Sequence, residues 1–288
     1  MTTFLALCLL SRLAYALNDV FVSRLARQHS HVEIAALRGL SLGLTMAPLL
    51  WWVPLEAWGA LADRWPTYLL TLVVTAGANV LANRAARHLP FGLRAALVLA
   101  TLSLATVVLG AVLLAERLSI AQGALCALLI GSTTCAAFGS HAAHEIRPSI
   151  PKGSALALGT GICLAVAAVL TKRLVAETHP LLTAWAWELG AGAILVVPLL
   201  WERRSGGEPG LSRRFLRTAA ASAPTAIGSA ASMTAIGMGA LGLWGAVAGT
   251  QVLFTAALGV LWHRETMGVR RWLAFAAASA AVSGLALL

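Results

Sequence analysis

Ten runs of apolar residues, separated by short polar breaks, make up almost the whole chain. They fall at about 4–23, 32–53, 67–83, 91–115, 119–138, 154–171, 181–201, 217–236, 243–262 and 269–287. Each is close to the roughly 20 residues that a helix needs to cross a bilayer, and charges are sparse within them. The shorter runs fit tilted or closely packed helices. The longest breaks, 54–66, 139–153 and 202–216, are too short to hold a soluble domain. The pattern predicts an all-α membrane protein of ten transmembrane helices.

The pattern also repeats. Glu33 to Trp51 ends in Pro48-Leu49-Leu50-Trp51, and Thr183 to Trp201 ends in Pro198-Leu199-Leu200-Trp201, an offset of 150. At that offset Arg38 falls on Glu188, Thr75 on Thr225, Asn79 on Ser229, Gly92 on Gly242 and Thr101 on Gln251. Glu116 falls one residue from Glu265. Two halves result, 1–138 and 154–288, joined by 139–153 with Pro148 and Pro151. Five helices is an odd number, so the halves have opposite orientation. That is the inverted-repeat pattern of secondary transporters, whose site lies between the halves near the midplane. Gly39-x-x-x-Gly43 and Gly245-x-x-x-Gly249 allow close helix contact, although the motif is common in apolar segments.

Composition agrees with the pattern. Of 288 residues, 59% are hydrophobic and 11% charged, against about 25% charged in a soluble domain. The net charge of +10 sits mostly between the apolar runs, which makes it membrane-flanking charge and not a nucleic-acid surface. The four cysteines, Cys8, Cys126, Cys135 and Cys163, lie in apolar runs without ligand spacing and are read as packing residues. Met-Thr-Thr-Phe at the start lacks a basic region, so the first run is expected to be retained. The loops after odd-numbered runs carry 15 basic residues and the other side 5, Arg12 among them. The positive-inside rule then places both termini outside. Arginine outnumbers lysine 19 to 2, which points to a GC-rich bacterial genome.

Three elements carry a family resemblance: Arg38-Gly39, then His88-Leu-Pro-Phe-Gly-Leu-Arg-Ala-Ala-Leu97, then Ala115-Glu116-Arg117-Leu118 followed by Gly123. They resemble the EamA-type repeat of the drug/metabolite transporter superfamily, in two copies that cover nearly the whole chain. The second copy departs from the pattern. Met238-Gly-Ala-Leu-Gly-Leu replaces the Pro-Phe-Gly element, and Arg264-Glu265-Thr266 replaces the Glu-Arg-Leu ending. The glycine usual before the glutamate is Ala115 in one copy and Arg264 in the other. The resemblance implies a ten-helix inverted-repeat exporter of small metabolites in the bacterial inner membrane. It also implies cytoplasmic termini and a basic loop between helices 2 and 3, where this chain has Glu56, Asp63 and only Arg64. Family topology and loop charge therefore disagree, and the charge count is the side taken here.

A charge at mid-bilayer costs about 2.5–3.5 kcal/mol on insertion scales. Arg38 lies some six residues into its helix, roughly 9 Å deep, and Glu188 is similarly deep from the opposite face. Across a core of about 30 Å they would sit roughly 10 Å apart along the normal. Either both line a central cavity, with Glu188 open to proton coupling, or each pairs locally, Arg38 with Glu33 or Asp19. Tyr15, Asn18 and Asp19 form a polar patch late in helix 1, read equally as cavity lining or as a helix end. Thr71, Thr75, Asn79 and Asn83 form a stripe in helix 3; Ser222, Thr225, Ser229 and Ser232 form another in helix 8. Either stripe can line a cavity or simply bond between helices. Thr101 and Gln251 join the candidate lining, and Tyr15, Trp185 and Trp187 could stack on a ring or cation. Trp51, Trp52, Trp58, Trp65 and Trp201 fit an interfacial belt. Glu116 and Glu265 are expected to cap helices or pair with Arg117 and Arg264.

His141-Ala-Ala-His144-Glu145 has ligand-like spacing, but two histidines in a connecting loop are a weak metal signal. No phosphate-binding Gly-x-x-x-x-Gly-Lys-Ser/Thr loop and no His-Glu-x-x-His occurs. The expectation is a non-enzymatic secondary transporter without cofactor or resident metal, monomeric or homodimeric, moving a small zwitterionic or amphiphilic molecule outward by alternating access. Amino-acid-like compounds and opine-like metallophores fit paired charges. The rival readings are an importer or facilitator, an intramembrane metal enzyme built on His141, His144 and Glu145, and a non-transporting scaffold.

Overall fold

The computed structural model describes residues 1–89, 91–138, 150–204, 211–263 and 268–288. Among the described residues all regular structure is helical. The first half holds α1 (Thr2–Gln28), α2 (His31–Met46), a 3-10 segment (Ala47–Trp52), α3 (Leu55–Asp63), α4 (Trp65–Ala85), α5 (Phe91–Leu113) and α6 (Ile120–Phe138). The second holds α7 (Ile150–Glu177), α8 (Pro180–Ile194), α9 (Val196–Arg204), α10 (Leu211–Met238), α11 (Leu241–Ala248), α12 (Gln251–His263) and α13 (Val269–Leu287). All ten apolar runs are helical, but three are interrupted, and α3 adds a short helix inside the 54–66 break. His141, His144, Glu145, Arg264 and Glu265 lie outside the described residues.

The repeated proline explains two of the interruptions. Proline cannot donate to the carbonyl four residues back, and its ring crowds that carbonyl. Regular α-helix accordingly stops at Met46, just before Pro48, and at Ile194, four residues before Pro198. The third break separates α11 from α12 at Gly249-Thr250. Its counterpart α5 runs unbroken. Helix starts are set locally: the Ser30 side chain accepts the Val32 N–H at 3.3 Å, and His179 Nδ1 accepts that of Leu181, with Pro180 in the first turn.

Among the described residues, seven spans are long and apolar enough to cross a membrane. They are α1, α2 with its 3-10 extension, α4, α5, α7, α8 with α9, and α11 with α12. Shorter apolar stretches are Ile120–Cys135 in α6 and Trp272–Leu287 in α13. α10 falls short because it carries Arg213, Arg214, Arg217 and many hydroxyls. It is enclosed by α1, α2, α7, α8 and α11, and Ser222, Thr225, Ser229 and Ser232 are all buried. A helix that meets protein need not be as apolar as one that meets lipid.

The most extensive helix contacts are α1 with α10, α4 with α7, α5 with α7, α2 with α8, and α6 with α13. Exchange the halves, so that α1 becomes α7, α2 becomes α8 and α4 becomes α10. The α1–α10 contact then becomes α7–α4, while α2–α8 and α6–α13 map onto themselves. The packing is pseudo-twofold, and its axis passes where α2 meets α8. Trp51, Trp52, Trp65 and Trp201 are exposed on the outside of the bundle, as interfacial tryptophans would be.

Candidate functional site

The crossing of α2 and α8 is closer than ordinary side chains permit. A Cβ on Gly39 would lie 2.6 Å from the Glu188 carbonyl oxygen and from Gly192 backbone atoms. A Cβ on Gly192 would meet Leu40 N at 2.6 Å. Glycine at both positions is what lets the two backbones touch. The neighbouring residues are thereby brought face to face. Arg38 Nη1 lies 3.3 Å from Glu188 Oε2, and Nη2 donates to Oε1 at 3.4 Å. The roughly 10 Å separation expected from depth alone does not occur: depth counts backbone positions, and two long side chains reach across the remainder. The local alternative for Arg38 is also displaced, because Glu33 pairs with Arg214 through both carboxylate oxygens, at 3.1 and 3.2 Å.

Glu188 is held from a second side. Ser229 Oγ of α10 donates to Glu188 Oε1 at 2.5 Å. Tyr15 of α1 bonds Ser229 at 2.9 Å, and since Ser229 spends its own proton on Glu188, the phenol is the donor. One carboxylate thus ties α1, α2, α8 and α10 together. It is 2% exposed, and a charge so buried persists only when paired and hydrogen-bonded.

Beside this cluster lies a cavity of about 210 Å³. Eight of the expected residues line it: Tyr15, Asn18, Asp19, Arg38, Thr75, Asn79, Glu188 and Gln251. Gln251, first residue of α12 after the helix break, donates its amide to Asp19 Oδ2 at 2.7 Å. Thr75 Oγ1 bonds back to the Thr71 carbonyl at 2.8 Å, so its polarity is partly spent within α4. Ser229 supports the wall from behind.

Two expected residues lie elsewhere. Thr101 packs against Gly161, whose Cβ would come within 2.6 Å of the Thr101 Cβ, in the contact between α5 and α7. Trp185 turns outward, donating Nε1 to the Gly43 carbonyl at 3.0 Å and setting its ring edge on Trp58 at 5.6 Å. Two residues on, half a helical turn round, Trp187 is the one that lines the cavity.

Arg12, Arg94, Ser232 and Trp244 line the cavity as well. Arg12 and Arg94 had been counted with the membrane-flanking charge. The clue for Arg12 was its place one turn before Tyr15, on the polar face of α1. Arg94 belongs to the His88–Leu97 motif, at the start of an apolar helix, where it bonds the Ala82 carbonyl at 3.3 Å. The cavity therefore holds three arginines and two carboxylates. Asn83 and Thr160 add polar atoms, and much of the remaining wall is apolar, including Ile34, Val98, Leu99, Leu102, Met233 and Ile236. Among the described residues no three metal-ligating side chains cluster.

Polar groups at the ends of the bundle tie it together. Glu116 caps α11, its two oxygens accepting the Leu241 and Gly242 N–H groups at 2.7 and 3.1 Å. Capping is the role expected for it, but the helix it caps belongs to the opposite half. Lys172 donates to the Ile236 and Gly239 carbonyls at the end of α10, both at 2.6 Å.

The family model described as the EamA-like transporter family matches residues 2–138 and 151–287. No curated protein matches the chain significantly. Among solved structures, one described only as the crystal structure of a protein matches with a TM-score of 0.74 at 18% identity, covering 98% of this chain and 96% of its own. At that identity it speaks for the fold alone.

Proposed function

We propose, from the premise that this chain belongs to the EamA-like transporter family, that it is an inner-membrane exporter. It would work by alternating access of ten helices in two inverted repeats, 1–138 and 154–288. The protein is a multi-pass membrane protein of a transporter family. The cargo we infer is a small molecule, amphiphilic or zwitterionic, carried by a monomer or homodimer without cofactor. The observation that carries the reading is the buried charged cavity between the halves, with Arg38 and Glu188 joined across the pseudo-twofold axis. A scaffold would gain nothing from gathering five ionisable side chains around one hollow, and intramembrane charge is a mark of substrate and ion pathways. Direction and compartment rest on the family resemblance.

The test compares metabolites inside and outside bacterial cells in which the chain is deleted or overproduced. Accumulation outside on overproduction supports export and names the cargo; accumulation inside supports import instead. Arg38→Ala and Glu188→Gln should abolish the effect while the protein still inserts. Unchanged transport in both would remove the pair from the site.

A further inference from the structure

Three arginines and two carboxylates line the cavity, one cation more than anions. Arg38 is taken by Glu188. Asp19 accepts from Gln251, and Arg94, Arg38 and Arg12 all lie near enough to act on it electrostatically, Arg94 most strongly. Arg12 makes no ion pair among the described residues. Its guanidinium is held by other means. Nη2 donates to Ser232 Oγ at 3.2 Å, and the group lies over the rings of Tyr15 at 5.2 Å and Trp244 at 4.8 Å. Arg12 is 4% exposed, and its Nε N–H is sealed from solvent without an acceptor.

Two aromatic rings attract a cation, but less strongly than an anion does. They cover the guanidinium and leave hydrogen bonding to its in-plane edges, the geometry that suits a planar carboxylate. A buried donor without an acceptor is costly until a bound group meets it. We propose that Arg12, between Tyr15 and Trp244, is the docking point for the carboxylate of a small organic monoacid with an apolar body. One spare positive charge matches one negative charge. The apolar remainder of the lining suits a hydrocarbon or aromatic body. This deepens the transporter reading and rests on it for the word cargo, but the binding claim stands on the cavity alone.

The test measures thermal melting of the full-length protein purified in detergent. Phenylacetate, hexanoate and L-leucine are added, beside phenylacetamide, hexanamide and L-leucinamide, with inorganic phosphate as a control anion. At least one acid should raise the melting temperature while its amide does not. Arg12→Lys should weaken that acid by roughly tenfold or more, the loss of a charge-assisted, in-plane pair of bonds. Arg12→Met reads the empty protein and needs no ligand. Ser232 Oγ also accepts Trp244 Nε1–H at 3.2 Å, so it is not orphaned by the change. The empty Met variant should melt at or above the parent temperature and lose all acid protection.

A clear drop in its melting temperature would show Arg12 to be structural and overturn the proposal. So would amides protecting as well as acids, phosphate protecting as well as phenylacetate, or no acid protecting at all. Proteoliposome uptake of the same labelled acids separates this from the transporter reading. Protection without transport removes the transporter and leaves the subsite; transport of a neutral compound without acid protection does the reverse.

Discussion

Gly39→Ala adds one methyl group at the point where α2 touches α8. That Cβ would sit 2.6 Å from backbone atoms of Glu188 and Gly192, where ordinary contact begins near 3.4 Å. Backbone cannot swing aside as a side chain can, so the helices must part by about 0.8 Å, the shortfall between those two distances. Overpacking of this kind costs about 1–3 kcal/mol. The same displacement stretches the Arg38–Glu188 contacts, already at 3.3 and 3.4 Å, toward 4 Å. Glu188 keeps only Ser229 at short range, which puts the total near the upper end. At roughly 2–4 °C per kcal/mol for a chain of this size, the melting temperature should fall by about 5–10 °C. The matched control is Gly77→Ala in α4, where the new Cβ has nothing within 4 Å. It should melt at or slightly above the parent, since alanine is favoured in a helix by up to about 1 kcal/mol. Both variants are purified in the same detergent and melted side by side, with transport of the identified cargo as the second readout. Should Gly39→Ala melt like the parent, or Gly77→Ala lose as much, the close crossing is not what holds the two helices together.

Three further outcomes follow from single residues. Ala115 has φ 52°, the left-handed region that disfavours any Cβ; Ala115→Gly should stabilise by about 0.5–1 kcal/mol in thermal melting. Glu116→Ala leaves two N–H groups at the start of α11 without acceptors, and should cost about 1–2 kcal/mol in the same assay, with Glu116→Gln losing less. Lys172→Met frees the carbonyls of Ile236 and Gly239; it should destabilise by about 1–3 kcal/mol and speed proteolysis at the end of α10, and resistance equal to the parent would refute the cap.

The sequence was most legible where a residue's chemistry conflicts with its surroundings. Arg38 and Glu188 stand out because charge in an apolar helix needs a reason, and the 150-residue offset linked them before any geometry was known. The paired prolines did more than mark the repeat, since each interrupts its helix. Other features were hidden because one-dimensional patterns average over them. Arg12 and Arg94 were counted as flanking charge because a tally of basic residues does not see which face of a helix they occupy. Trp185 and Trp187 differ by half a turn, and only packing decides which faces inward. Ala115 was visible as a departure from the family glycine; its positive φ gives that glycine a physical reason. The break between α11 and α12 carries no proline; it falls at Gly249-Thr250, inside an apolar run that the pattern reads as one helix.

The distribution of contacts bears on how the halves could move. At one end of the bundle they are tied by Ser30 with Glu202 and by Glu33 with Arg214. At the other they are tied by Arg64 with Glu177, by Glu116 on α11 and by Arg173 on the Leu113 carbonyl. Arg64 and Glu177 are 56% and 43% exposed, and exposed pairs of this kind contribute at most about 1 kcal/mol each. Arg214 and Glu33 are enclosed, at 13% and 7%, much as Arg38 and Glu188 are at 14% and 3%. The middle is held in the same way. Parting α2 from α8 there would leave Arg38 and Glu188 buried and unpaired, which costs about 3–5 kcal/mol. Under the alternating access proposed above, the glycine crossing, where the two backbones meet, would serve as the fulcrum. A cargo in the adjoining cavity would lie against that fulcrum and compete with the Arg38–Glu188 pair. Glu188 would then couple occupancy to motion, since it joins α8 to α2 through Arg38 and to α10 and α1 through Ser229 and Tyr15.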